Sequence, residues 1–155
     1  MASYKKVKDL VTAGNNQCLQ WGECKDGSIW YSTDDAVIRH TEDPELQSMC
    51  RLYAKPRINI QMIRDIIRMD PYKTLTIHEL KQLKVHGMYI VDRDPKHYLA
   101  FSAVHVGEFL ALKKELIFEI HMVVDKPVMV ISEVHRNLFL TDFEHIALIM
   151  GMRRC

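Results

Sequence analysis

The chain has 155 residues, 48% hydrophobic and 26% charged, with a formal net charge of +1. That is enough for one domain, or one and part of a second, with a core that needs no disulfide or metal staple. The near-zero balance excludes a uniformly basic or acidic binder, so any surface for nucleic acid has to be local.

No apolar run nears the roughly 18 residues of a membrane span. Met1-Ala-Ser-Tyr-Lys-Lys6 has no apolar stretch behind it, unlike a secretory leader. A cytoplasmic protein with no membrane partner is expected. Cys18, Cys24, Cys50 and Cys155 include no C-x-x-C pair, so reduced thiols are expected. The eight histidines are scattered, several in alternating runs where an exposed or edge position is the common one. Neither a metal site nor a cofactor is expected.

In chain order, residues 5–13 read as a short helix with Val7, Leu10 and Val11 on one face, stopped at Gly14. Cys18–Cys24, Lys25-Asp-Gly27 and Ser28–Ser32 read as a β-hairpin, with a further strand over Ala36–Arg39. Met49–Ala54 reads as a strand. Pro56 then opens a helix from about Arg57 to Met69, with Ile60, Ile63 and Ile67 on one face and Ile66 beside them. Strands are expected at Thr74–His78, Leu83–His86, Met88–Val91 and His97–Phe101. A helix is expected over 105–115, around Val106, Phe109, Leu110 and Leu112. Ile117–His121, Val128–Ser132, the fragment Phe139-Leu140 and His145–Met150 complete the strands.

A helix followed by a short antiparallel run thus recurs three times, about every 50 residues. Leu75-Thr-Ile-His78 parallels Phe118-Glu-Ile-His121, and Met88-Tyr-Ile-Val91 parallels Met129-Val-Ile-Ser132. One such unit buries its helix poorly alone, whereas adjoining units share a core. The expected class is α+β, built from repeated helix-plus-antiparallel-strand units.

Three segments carry a family resemblance. Asp26-Gly-Ser-Ile-Trp-Tyr-Ser-Thr-Asp34 with Ala36-Val-Ile38, then Leu52-Tyr-Ala-Lys-Pro-Arg-Ile-Asn-Ile-Gln-Met-Ile-Arg-Asp-Ile-Ile67, resemble the middle domain of the bacterial DNA polymerase III β sliding clamp. Ala147-Leu-Ile-Met-Gly-Met-Arg153 is similar to that family's closing strand. Asp35 stands where the family has Gly, Gly151 where it has Pro, and Arg154-Cys155 replace a final Leu. The resemblance implies a clamp-like domain over 1–103 and an additional half-domain unit over 104–155 packed on it, or the two as one continuous domain.

It also implies a function without covalent chemistry: a homo-oligomeric ring around duplex DNA that tethers a polymerase or another replication protein. Such a ring needs cationic inner helices that attract phosphates without reading bases. The DNA-facing candidates are Lys5, Lys6, Lys8, Arg57, Arg64, Arg68, Lys113 and Lys114, set against Asp9, Asp65, Glu108 and Glu115. The implied partner-peptide pocket falls on Thr33, Asp35, Ala36, Val37, Ile38, Pro56, Leu148, Met150 and Met152. Methionine suits such a pocket because it is flexible and polarisable, although Leu148 and Met150 also fit the inward side of a last strand.

The alternatives differ in class. A small clamp-like interaction or regulatory module, of phage or mobile-element type, would use the same sheet without encircling DNA. A single-strand binder would stack bases on Trp21, Trp30 and Tyr31. An enzyme is the weakest reading. The chain has no nucleotide-binding glycine loop and no G-x-S-x-G elbow, and His78-Glu79 lacks the second histidine of H-E-x-x-H. Asp34-Asp35 reads as a turn.

Overall fold

The structure is a computed structural model and describes residues 19–23, 29–33, 36–40, 59–92, 96–112 and 114–154. The chain divides into two compact units, Met1–Ile67 and Arg68–Cys155. Both are mixed α/β with antiparallel pairing, and strands predominate. Among the described residues, no helix is long and apolar enough to cross a membrane.

In the first unit, β1 (Leu19–Glu23), β2 (Ile29–Thr33) and β3 (Ala36–His40) form an antiparallel meander. Trp21 pairs with Tyr31 and Gly22 with Trp30 in register, and Trp30 is buried. The first hairpin and its following strand therefore stand where the sequence puts them. Helix α1 (Ile60–Arg68) runs up to the division between the units, its last residue being the first of the second unit. Asn59 caps it, its side-chain oxygen accepting from the Met62 N–H at 3.2 Å. Ile63 and Ile66 are its buried residues. The expected helix at 5–13, the strand at 49–54 and the four cysteines lie outside the described residues.

The second unit contains two antiparallel sheets. One has the order β10-β9-β8-β4, from β4 (Lys73–Thr76), β8 (Leu116–Val123), β9 (Lys126–Arg136) and β10 (Thr141–Met150). The other has the order β11-β7-β6-β5, from β5 (Lys84–Val85), β6 (Met88–Val91), β7 (Tyr98–Ser102) and β11 (Met152–Arg154).

The middle of the first of these sheets is buried on both faces. The register aligns Leu75, Phe118 and Ile131 on one face and sets Val128, Val130 and Ser132 on the other. All of these are buried. A bulge between His145 and Ala147 restores the match on β10, so that Ala147 and Ile149 share a face with Ile131 and Met129.

Two short helices complete the unit. Helix α2 (Ile77–Lys81) interrupts what the sequence suggests is a strand to His78. Its cause is a capping box. The Thr76 hydroxyl accepts from the Glu79 N–H at 3.2 Å, and the Glu79 carboxylate accepts from the Thr76 N–H at 3.1 Å. Leu80 is then fully buried. Helix α3 (Ala103–Leu110) buries Val106 and Phe109 and is shorter than the expected 105–115.

Gly151 is the crossing between the sheets. Its N–H donates to the Pro127 carbonyl at 2.9 Å. A Cβ there would lie 2.6 Å from Phe101 Cε1 and 2.8 Å from the Ala100 carbonyl oxygen. No residue with a Cβ fits at this position without a shift of Phe101 or of the Ala100 backbone.

Candidate functional site

The second sheet of the second unit has one packed face and one open one. Tyr89, Val91, Leu99 and Phe101 alternate inward and are buried. The opposite set, Val85, Met88, Ile90, Tyr98, Ala100 and Met152 with His86, lines a cleft of about 370 Å³. The turn between β5 and β6 fixes one wall. His86 and Gly87 both hold positive φ, 47° and 78°, as a two-residue hairpin turn requires. The other wall is β11, where Met152 pairs with Ala100 and is 45% exposed. The cleft is shallow and apolar, with polarisable side chains on two sides, and its size suits a peptide side chain or two.

Of the pocket residues implied by the resemblance, Met152 is the only one among the described residues that lines this cleft. Leu148 is buried in the first sheet, and Met150, at 41% exposed, does not line the cleft. Thr33, Ala36, Val37 and Ile38 lie on β2 and β3 of the first unit, and Thr33 pairs with Ala36. Asp35 and Pro56 lie outside the described residues. The sequence signals missed for the cleft are the alternation of Met88 and Ile90 and the His86-Gly87 turn. Both are visible in the sequence, but only pairing with β11 assembles them.

The cationic candidates are distributed. Arg64 and Arg68 lie one turn apart on α1, the former half-buried and the latter exposed, and neither has an ion-pair partner among the described residues. Lys114 is paired with Glu133 at 3.3 Å. Lys5, Lys6, Lys8, Arg57 and Lys113 lie outside the described residues.

Polar side chains gather in two further places on the first sheet of the second unit. Glu133 and Glu144 are direct cross-strand partners. His135 Nε2 lies 2.9 Å from the Glu144 carboxylate and 3.8 Å from that of Glu133. The three donor atoms fall within 4.8 Å of one another and could hold a divalent ion. As they stand, Lys114 and His135 answer the like-charge pair. The sequence hides this group because a two-strand register brings it together.

The second place is a groove of about 450 Å³ lined by Thr74, Glu119, Thr141, Phe143 and His145, among others. His145 Nδ1 and the Ser132 hydroxyl are 2.8 Å apart. His121, one strand further in, is fully buried, with no hydrogen-bond partner on either ring nitrogen among the described residues. Its nearest carboxylate is Glu119 at 3.9 Å. Burial, with the neighbouring His145 charge, pushes the His121 pKa down, and burial pushes Glu119 up. The serine–histidine pair is no nucleophile site, because Ser132 is fully buried and no substrate reaches its oxygen.

Comparison with known protein families, curated proteins and solved structures returns no match.

Proposed function

We propose that this chain is a non-enzymatic protein-interaction module of clamp-like plan, and that its cleft takes an apolar segment of a partner protein. The observation that carries this reading is the open apolar face of the second sheet, with Met88 and Met152 on opposite sides of a preformed cleft. The three-unit plan belongs to the same reading. In its support, α1 precedes β4, α2 precedes β5 to β7 and α3 precedes β8 to β10, so a helix leading into antiparallel strands recurs among the described residues. A cytoplasmic location goes with it.

The test is selection from a random peptide library against the wild-type chain and a Met88→Glu/Met152→Glu variant. Peptides rich in leucine and aromatic residues are expected on the wild type and lost from the variant. Equal recovery from both would remove the cleft from the reading.

A second reading, a homo-oligomeric processivity factor around duplex DNA that tethers a polymerase, is favoured by Arg64 and Arg68 on one flank of α1. Here Arg64→Glu/Arg68→Glu is expected to cut association with long duplex DNA and flatten its salt dependence. Unchanged association would refute that role for the two arginines.

A further inference from the structure

The β9–β10 ribbon ends in a four-residue tip, Asn137-Leu138-Phe139-Leu140, where the sequence suggests a strand fragment. Leu138 is 93% exposed and Phe139 95%, with Leu140 and Phe143 more than half exposed. The tip is held in shape. The Asn137 side-chain oxygen accepts from the N–H groups of Phe139 and Leu140 at 2.9 and 2.7 Å, and the Asn137 N–H donates to the Leu140 carbonyl at 3.1 Å. Below it, the Arg136 Nε–H is shared between both oxygens of the Glu115 carboxylate at 3.0 Å, and Nη2 donates to one of them at 2.8 Å. An apolar pair presented on a braced turn loses little freedom when it docks.

We infer that the occupant of the cleft is this tip on a second copy of the chain, so that copies associate head to tail. The inference rests on the interaction reading above and names its partner. Three observations favour a second copy. The tip offers two large apolar side chains, and the cleft of about 370 Å³ is lined by apolar ones. Tip and cleft lie at opposite ends of β10, whose 10 residues span roughly 33 Å, so a chain cannot fill its own cleft. Charge fits as well. Asp142 stands on one face of the ribbon near the tip, beside Glu144, which contacts His135, and Glu133, which pairs with Lys114. Exposed Lys84 and Arg153 adjoin the cleft residues Val85 and Met152, Arg153 also pairing with Asp125 at 3.2 Å. The same acids disfavour a bilayer, whose anionic surface repels them. A tip-to-cleft contact uses different surfaces on the two copies and propagates until it closes or is capped.

The test is the solution mass, by light scattering over a concentration series, of the wild type, a tip variant (Leu138→Asp/Phe139→Asp) and a cleft variant (Met88→Glu/Met152→Glu). The wild type is expected to exceed one chain mass increasingly with concentration, and each variant alone to stay at one. An equimolar mixture of the variants is expected to reach two chain masses and stop. One intact tip then meets one intact cleft, and both remaining ends are dead. A wild type that stays monomeric at its solubility limit, a tip variant that associates like the wild type, or a mixture that stays monomeric overturns the inference. If the chain is monomeric but its cleft still selects peptides and the cleft variant does not, only this inference fails and the interaction reading stands.

Discussion

The two ends of the β9–β10 ribbon obey opposite rules. At the inner end every side chain from Val128 to Ser132 is fully buried, and the chain leaves the sheet through Gly151, where not even a methyl group fits. At the outer end Leu138 and Phe139 stand in solvent on a turn as well hydrogen-bonded as the ladder beneath it. Two phenylalanines of one unit make the contrast concrete. Phe118 is 0% exposed and Phe139 95%. Apolar character is common to both, but only the burial of the first contributes to stability.

The largest effect is expected at the buried end. Phe118→Ala should lower the unfolding free energy by about 3–5 kcal/mol, read from urea denaturation. Gly151→Pro should follow at about 3 kcal/mol, from the lost hydrogen bond to Pro127 and the clash with Phe101. A loss under about 1 kcal/mol for either would mean that this end relaxes freely, and the contrast would collapse.

The buried His121 sharpens the same comparison through pH. Its folded pKa is lowered from 6.5, so below pH 6.5 the unfolded chain binds a proton that the folded chain refuses. Its contribution is complete above 6.5 and is lost as pH falls towards the lowered folded value. Glu119, raised from 4.5, acts with the opposite sign above 4.5. The difference between the wild type and His121→Gln isolates the histidine. Wild-type stability should fall more steeply from about pH 7.5 to 5.5, and parallel curves would show that His121 titrates normally.

Smaller effects belong to the exposed turns. Val124 is 90% exposed with φ of 59°, a conformation that a β-branched residue resists. Val124→Gly should stabilise by about 1 kcal/mol in the same denaturation assay. Phe139→Ser should move stability by no more than about 0.5 kcal/mol while abolishing self-association. A large stability loss there would mark Phe139 as part of the core.

Local pattern carried far in this chain. The β1–β2–β3 meander, helix α1 and the strands β6 to β9 are all readable from periodicity and turn residues, because those signals are short-range, although the buried face of α1 centres on Ile63 and Ile66 and leaves Ile60 and Ile67 half-buried. The capping box of Thr76 and Glu79 is equally local, but the apolar alternation of Leu75 and Ile77 gives a competing strand signal over the same residues. The parallel between Leu75-Thr-Ile-His78 and Phe118-Glu-Ile-His121 shows where letters stop. Leu75 and Phe118 are register partners, yet His78 is exposed on a helix and His121 is sealed in a sheet.

The sequence by itself determined the mixed α/β class and most strand positions. The tertiary structure alone decided which methionine faces a cleft, which histidine loses its water, and that Glu133, His135 and Glu144 converge. Those outcomes depend on strand register and on the bulge before Ala147. A shift of one residue there exchanges the two faces of a strand without changing a letter of its sequence.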